Sequence, residues 1–369
     1  MFPFTSRSAR TRRVGAAAAA VLLGATTLSA CAETPGSGGS GDEKVGVSLI
    51  VKTTTNPFFV SMQDGAKKAA EQNNVDLTMA AGKADGDEDG QIQAIENSIS
   101  KGDKGILITP NGPAVVDAIK RARDAGLFVI ALDTVPDDPA SVDVTYATDN
   151  FTAGTQIGKW TAAKLDGQKA VIGLVDLHAD KIVDVDVTRD QGFLTGMGIE
   201  TNNNRVNGDE TKSGKYTGGK GGDYQIVGNQ PSKGEEDGGR KAAELLLSQN
   251  PDINVLYAGN EPAASGAWEA LQAAGKDQSV IVVTIDGGCA GVDNVAKGVF
   301  DATAQQYPVK MAEDGVAAIA KLARTGEKAS APAGKDFIDT GSALVTKEKV
   351  DGVESISAEE GAAKCWGEK

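Results

Sequence analysis

Residues 45–60 read Val45-Gly46-Val47-Ser48-Leu49-Ile50-Val51-Lys52-Thr53-Thr54-Thr55-Asn56-Pro57-Phe58-Phe59-Val60. The first seven form an apolar, β-branched run of strand length. After a polar turn, apolar residues recur at Phe59, Met62, Ala66, Ala69 and Ala70, the spacing of a helix over 59–73. The alternation continues outward from this unit. Strands are predicted at 75–80, 105–109 and 128–132, with Pro110 ending the second. Helices are marked by Ile92, Ile95 and Ile99, and by Val115, Val116, Ile119 and Ala122 up to Gly126. Such a βαβα rhythm gives a mostly parallel sheet with helices on both faces. It then restarts, with strands at 170–175, 253–257 and 280–285 and helices at 152–165, 235–248, 262–274 and 308–325. Two similar α/β halves are implied. Residues 201–230, rich in Gly, Asn and Lys, read as a surface excursion.

A chain of 369 residues suits two such halves, and 40% hydrophobic residues supply the cores. Acids outnumber bases by 51 to 37, and the net charge of −14 opposes nucleic-acid binding. With one histidine, His178, and three cysteines, multi-histidine metal sites and four-cysteine zinc sites are excluded. A Ser/His/Asp triad could be built on His178 alone, which reads better as a satisfied loop histidine than as a ligand.

The first residues form an address. Arg7, Arg10, Arg12 and Arg13 precede an apolar run over 14–28 that ends in Leu28-Ser29-Ala30-Cys31. This is the order of a secretory signal over residues 1–30, too short and Ala-rich for a permanent span. Its removal leaves 339 residues at a charge of −18. Residues 32–44 read as a flexible tether. The body then works outside the cytoplasmic membrane. There a disulfide between Cys289 and Cys365 can persist, the alternative being two buried thiols.

In parallel sheets ligands gather beyond the carboxyl ends of the strands. The polar residues there include Lys52, Asn56, Thr109, Asn111, Asp133, Thr148, Asp149, Asn260, Glu261 and Asp286, with Phe58 and Phe59 alongside. Sugar hydroxyls both donate and accept, so carboxylate, amide and guanidinium groups satisfy them in pairs, and the C–H faces of a sugar pack on aromatic rings.

Seven segments resemble, in order, those of ribose-type (type I) periplasmic sugar-binding proteins, the solute receptors of ABC importers. They are Thr55-Asn56-Pro57-Phe58-Phe59-Val60, Ala131-Leu132-Asp133, Ala147-Thr148-Asp149-Asn150, Arg189-Asp190-Gln191-Gly192-Phe193, Gly259-Asn260-Glu261, Ile285-Asp286-Gly287 and Gln305-Gln306-Tyr307-Pro308. The resemblance covers roughly residues 44–345. Val51-Lys52-Thr53, Asp286-Gly287-Gly288-Cys289 and Lys364-Cys365-Trp366-Gly367 look most like the fructose-binding branch, which also favours a Cys289–Cys365 bridge. Cys31 resembles a lipobox cysteine, which implies a diacylglycerol anchor on the cell membrane.

The resemblance implies two Rossmann-like lobes with parallel sheets joined by three crossings, near Thr148, Gln306 and about Phe337. Lobe one is then 45–148 plus 307–336, and lobe two 149–306 plus 337–369. Phe58 and Phe59 would sandwich a monosaccharide. Asn56, Asp133, Arg189, Asn260, Asp286 and Gln306 would bind its oxygens. Lys52, Thr109 and Thr134 depart from the ribose receptor, which places serine, asparagine and arginine there, and so point to another sugar, fructose first. A monomer with no cofactor, working with a permease and its ATPase, is expected.

Three other readings stand beside this one. Asp85, Asp87, Asp89 and Glu96, with Gly90, match a calcium loop, but a strand precedes it, and the acids read better as a helix cap. A sugar-responsive transcription regulator needs a helix-turn-helix where residues 1–41 offer an export signal. A hydrolase would have to conscript Asp133 and Asp286. Presentation of ligand to a chemoreceptor is compatible with the leading reading.

Overall fold

The computed structural model describes residues 43–179 and 181–368. The expected export signal, Cys31 and the tether up to residue 42 lie outside them.

The chain opens with β1 (Val45–Val51), α1 (Pro57–Gln72), β2 (Val75–Ala81), α2 (Glu88–Lys101), β3 (Gly105–Ile108), α3 (Val116–Asp124), β4 (Phe128–Leu132) and β5 (Val144–Ala147). It continues with α4 (Asn150–Leu165), β6 (Ala170–Asp176), α5 (Asp184–Met197), β7 (Ser213–Tyr216), β8 (Gly222–Pro231), α6 (Glu236–Gln249), β9 (Val255–Ala258), α7 (Glu261–Ala273), β10 (Ile281–Asp286), α8 (Cys289–Lys297) and β11 (Ala302–Gln305). It ends with α9 (Pro308–Thr325), β12 (Ile338–Asp339), β13 (Ala343–Thr346), β14 (Ile356–Ser357) and α10 (Ala358–Ala362).

Two sheets result, in the orders β12-β5-β4-β3-β1-β2 and β14-β13-β11-β10-β9-β6-β8-β7. Pairing is parallel except for β7 with β8 and β11 with β13. The opening strand shows why the sequence folds this way. Val47, Leu49 and Val51 face one apolar cluster with Met62 and Met311, while Ile50 faces the other with Ile95, Ile106 and Ile119. Both faces are covered, which is what a continuous apolar run requires. Asn56 caps α1 by accepting from the Phe58 N–H at 2.9 Å, and Pro57 occupies the first turn.

The chain passes between the two lobes three times. It leaves sheet one after β5, returns after β11 so that α9 packs on α1, and leaves again after β12. Because Ile338 and Asp339 pair with β5, the last crossing follows Asp339 rather than falling at about Phe337. Cys289 and Cys365 are bonded, with their Cα atoms 4.8 Å apart.

A further expectation is corrected. The supposed excursion over 201–230 contains β7 and most of β8, and its Tyr216, Tyr224 and Ile226 are buried in the second lobe's core. The acids of the calcium-like run diverge. Asp87 caps α2 by accepting from the Gly90 N–H, Glu96 pairs with Arg121 at 2.6 Å, and Asp85 turns into the cleft between the lobes.

Helix α5 carries Arg189, and its placement depends on backbone contact with α4. A Cβ on Gly158 would stand 2.0 Å from the Phe193 carbonyl oxygen. On Gly192 it would stand 2.4 Å from the Phe151 carbonyl oxygen, and on Gly196 2.2 Å from that of Thr155. Neither helix can accept a methyl there without moving. We expect Gly192→Ala to cost about 1–3 kcal/mol, measured by urea unfolding, and to weaken ligand binding in the same variant. An unchanged unfolding midpoint would show that the contact tolerates a side chain.

Candidate ligand-binding cleft

The carboxyl ends of both sheets face a cavity between the lobes. It is lined by Lys52, Asn56, Phe58, Phe59, Asp85 and Asp133 from lobe one, by Leu177, Val185, Arg189, Asn260 and Asp286 from lobe two, and by Gln306 at a crossing. Nine of the eleven residues expected from the sequence are therefore brought together. With the lobes drawn in, the cavity measures about 20 Å³, room for one water, so a larger ligand enters when they part.

Each polar group is held by a specific partner. Arg189 is buried; its Nε donates to Asn150 Oδ1 at 2.8 Å and its Nη1 to the Gly259 carbonyl at 2.9 Å. Its Nη2 lies 3.8 Å from Asp133 Oδ1 across the cleft. Asp133 Oδ2 accepts from the Thr134 hydroxyl at 2.8 Å. Asp286 Oδ1 accepts from Gln306 Nε2 at 2.7 Å, and its Oδ2 accepts from the Glu261 N–H at 3.1 Å. Gln306 Oε1 in turn accepts from the Thr148 hydroxyl at 3.1 Å. Asn260 spends its oxygen capping α7 and donates from Nδ2 to the Gly234 carbonyl.

Both strand-end aspartates have unusual backbones, with φ of 66° at Asp133 and 140° at Asp286. Positive φ in non-glycine residues costs of order 1–3 kcal/mol and tends to persist where a site needs the side chain aimed.

The aromatic groups differ from expectation. Phe58 and Phe59 touch edge to face, with centroids 5.2 Å apart and planes at 89°, so they cannot sandwich a ring between them. Trp366 packs edge-on against Phe58 at 5.4 Å, and its Nε1 donates to the Gln306 carbonyl at 2.7 Å. The two phenylalanines thus offer one apolar wall and belong also to the core of lobe one.

Two expected residues lie elsewhere. Asp149 caps α4 through the Thr152 N–H, and its neighbour Asn150 holds Arg189 instead. Glu261 accepts from the Gly287 and Gly288 N–H groups and the Thr303 hydroxyl, bracing the loop behind Asp286.

Asp85, Leu177 and Val185 were not foreseen. Asp85 meets His178 of the other lobe at 3.4 Å, and neither atom of the pair has a hydrogen-bond partner. Burial would raise the Asp85 carboxyl, but Lys52, His178 and Arg189 outweigh it and hold it below the ordinary aspartate value. Lys181 adds a second contact across the lobes, donating to the Gly86 carbonyl at 2.7 Å and to Glu88 at 2.8 Å. Burial pushes Asp286 up to about 6, against the lowering effect of Arg189 and its hydrogen bonds. Burial and the Asp286 charge push Glu261 well above its ordinary value.

A larger recess of about 820 Å³ shares Asn56, Asp85 and Asp286 with the cavity. Eight acidic side chains line it against Lys233, among them Asp64, Glu235, Glu236, Asp237 and Glu368.

Known proteins match most of this chain. Residues 47–328 fit the family model described as a periplasmic binding protein domain. The D-ribose/D-allose-binding protein of Pseudomonas aeruginosa is 28% identical over 319 residues, covering 82% of this chain and 90% of that protein. The ribose import binding protein of Escherichia coli is 29% identical over 286 residues, covering 77% and 86%. Among solved structures, an ABC transporter solute-binding protein of Agrobacterium vitis with bound D-fucose is 26% identical, with a TM-score of 0.69 and coverage of 83% and 97%. One from Actinobacillus succinogenes with bound D-allose is 25% identical, with a TM-score of 0.68 and coverage of 82% and 98%.

The raised Asp286 has a consequence for stability. Its folded value exceeds the unfolded 3.8, so the fold favours the protonated form. Its contribution is intact below about pH 4 and is lost as pH climbs to about 6, a change of roughly 3 kcal/mol at 1.36 kcal/mol per unit. Urea unfolding of the wild type should therefore weaken over this interval relative to Asp286→Asn. A difference between the two proteins that stays flat from pH 4 to 7 would contradict it.

Proposed function

The chain belongs to the periplasmic binding protein family, and we propose that it is the solute receptor of an ABC sugar importer, closing two lobes on one neutral monosaccharide. One observation carries this reading. A single cavity between the lobes collects an aromatic wall, a guanidinium, two strand-end carboxylates and three amides, contributed from both sides. That mixture satisfies hydroxyls that donate and accept at once, with the apolar face of the sugar on Phe58 and Phe59.

In this reading Asp133 and Asp286 each accept from one or two hydroxyls. Arg189 donates to the ring oxygen or a hydroxyl through hydrogens not committed to Asn150 and Gly259. Asn56 and Lys52 donate from lobe one, and Asn260 and Gln306 frame the opposite edge. No residue is assigned a chemical step. The relatives named for ribose and allose, and the neighbours holding fucose and allose, support a pentose or hexose. D-Fructose is the first choice, from the branch-like segments around Lys52, Cys289 and Cys365. Capture occurs outside the cytoplasmic membrane, with Cys31 as the lipid-bearing residue and a permease with its ATPase as the recipient.

The acidic approach to the cavity repels anions. Neutral monosaccharides should raise the melting temperature of the purified protein, because they bind the native form alone. The 6-phosphate of the same sugar should not. Asp133→Ala or Arg189→Ala should weaken sugar binding by about 100-fold or more, since each removes charge-assisted hydrogen bonds worth roughly 1.5–3 kcal/mol apiece. Calorimetric titration across a panel of pentoses, hexoses and polyols checks both points. Failure of every neutral sugar to bind, or release of a hydrolysed product, would remove the receptor reading.

A further inference from the structure

Behind the cleft wall lies a second polar cluster that the sugar reading does not use. It begins at Asp186, whose carboxylate accepts from the Leu177 and His178 N–H groups at 2.8 and 3.0 Å and so fixes that wall. One helical turn further along α5, Asp190 is 1% exposed, and neither of its carboxylate oxygens has a hydrogen-bond partner. Glu210, from the segment between α5 and β7, is 3% exposed. Its Oε1 accepts from Lys212 at 2.7 Å, while Oε2 is unpartnered. The buried amide oxygens of Gln191 and Asn207 are also unpartnered. Among the described residues, six of sixteen such orphaned side-chain atoms belong to these four residues.

Orphaned oxygens in a low dielectric are costly, and carboxylates most of all. Asp190 suffers this twice. Burial raises its carboxyl well above the ordinary value, and the charges of Asp176, Glu210 and Asp186 raise it further. Lys212 does not relieve it from within, because its side chain is 48% exposed and its ammonium is committed to Glu210 at the rim. A proton or a buried cation would.

We propose that this cluster is a divalent-cation site of the Ca²⁺ class, with Asp190 and Glu210 as carboxylate ligands and the side-chain oxygens of Gln191 and Asn207 as neutral ones. Among the described residues no three carboxylate, imidazole or thiol groups converge on one point, so neutral oxygens must complete the shell. Calcium accepts six to eight oxygens of mixed kind in irregular geometry. Zinc prefers nitrogen and sulfur, and magnesium demands a near-ideal octahedron. The ion would tie α5 to the segment before β7 and brace Asp186, and through it the Leu177–His178 wall. The site does not depend on which sugar the cleft takes.

The test uses the full exported chain, stripped with EDTA at pH 7.5, without sugar. Thermal unfolding is followed with 1 mM CaCl₂, 1 mM MgCl₂, or NaCl of equal ionic strength, and Ca²⁺ binding is titrated calorimetrically. The expected result is one Ca²⁺ per chain and a rise of about 4 °C or more in melting temperature, larger than with Mg²⁺. The rise should be absent in Asp190→Asn and in Glu210→Gln; either variant suffices should the other not fold. A wild-type melting temperature that Ca²⁺ leaves within 1 °C of the NaCl control overturns the proposal. So does a full Ca²⁺ shift in the variants, which would place the ion elsewhere. Sugar shifts measured separately in EDTA keep a failure of the cleft reading distinct from a failure of this one.

Discussion

The contact of α4 with α5, backbone against backbone, is the constraint on which the cleft depends. Four glycines spaced in pairs, Gly154 with Gly158 and Gly192 with Gly196, remove the side chains that would hold the helices apart. The close crossing sets Arg189 over Asn150, so that a guanidinium 4% exposed finds an amide oxygen and a main-chain carbonyl in lobe two. Losing one partner of a buried charge costs about 3–5 kcal/mol, so such an arginine needs its scaffold fixed before any ligand arrives. Fixed there, its Nη2 faces Asp133 of the other lobe at 3.8 Å, close enough to attract and too far to hydrogen-bond. The remaining guanidinium hydrogens are thus aimed but uncommitted, which suits an oxygen arriving between the lobes.

The two aspartates repeat one device in each lobe. Asp133 follows β4 and Asp286 ends β10, each at positive φ, each with one carboxylate oxygen held by a neighbouring side chain. Glu261 extends the support around Asp286. Its carboxylate takes the two N–H groups of Gly287 and Gly288, and its own N–H holds Asp286 Oδ2. At Gly287, with φ 65°, a Cβ would stand 2.3 Å from the Gln305 Cα, so only glycine makes that turn. The cost is two acids that burial pushes toward protonation, Glu261 further by the Asp286 charge and Asp286 by that of Asp133, and a fold that grows less stable as they ionise.

Much of this was legible in the residues, and what was not has physical causes. β1 could be read because covering both faces leaves a continuous apolar run. Strand ends pointed to Asn56, Asp133, Asn260 and Asp286 because parallel strands deliver their polar termini to one edge. The same rule is good to about one residue, and the successive residues there face different ways. It therefore offered Asp149 and Glu261, whose carboxylates serve their own helix cap and a neighbouring loop. α5 gave no helical stripe. It is buried nearly all round and carries Asp186, Arg189 and Asp190 inward, so polar and apolar residues mix without period. Asp85 was hidden inside an acidic run whose other members do unrelated work. The two-ring sandwich failed because Phe58 and Phe59, adjacent on one helix start, pack against each other and Trp366 rather than across a gap.

The hinge and the cleft share atoms, which decides how a ligand can act on the whole molecule. Gln306 sits where the chain crosses back to lobe one. Its side chain joins Thr148 at the first crossing to Asp286 in the cleft, and its carbonyl accepts from Trp366. A hydroxyl that engages Asp286 therefore touches a group bonded to one crossing segment and linked through Gln306 to the other. The contacts drawing the lobes together include the buried pair Asp85 with His178, the largely buried pair Lys181 with Glu88 and the exposed pair Arg205 with Asp137, besides Arg189 facing Asp133. An exposed pair such as Arg205 with Asp137 contributes about 0–1 kcal/mol. A ligand held by both lobes adds its own contacts in the closed form alone, and that preference shifts the population toward closure. Because Asp133, Arg189 and Asp286 reach the same cavity from opposite lobes, that preference is available only to a ligand small enough to be touched by all three.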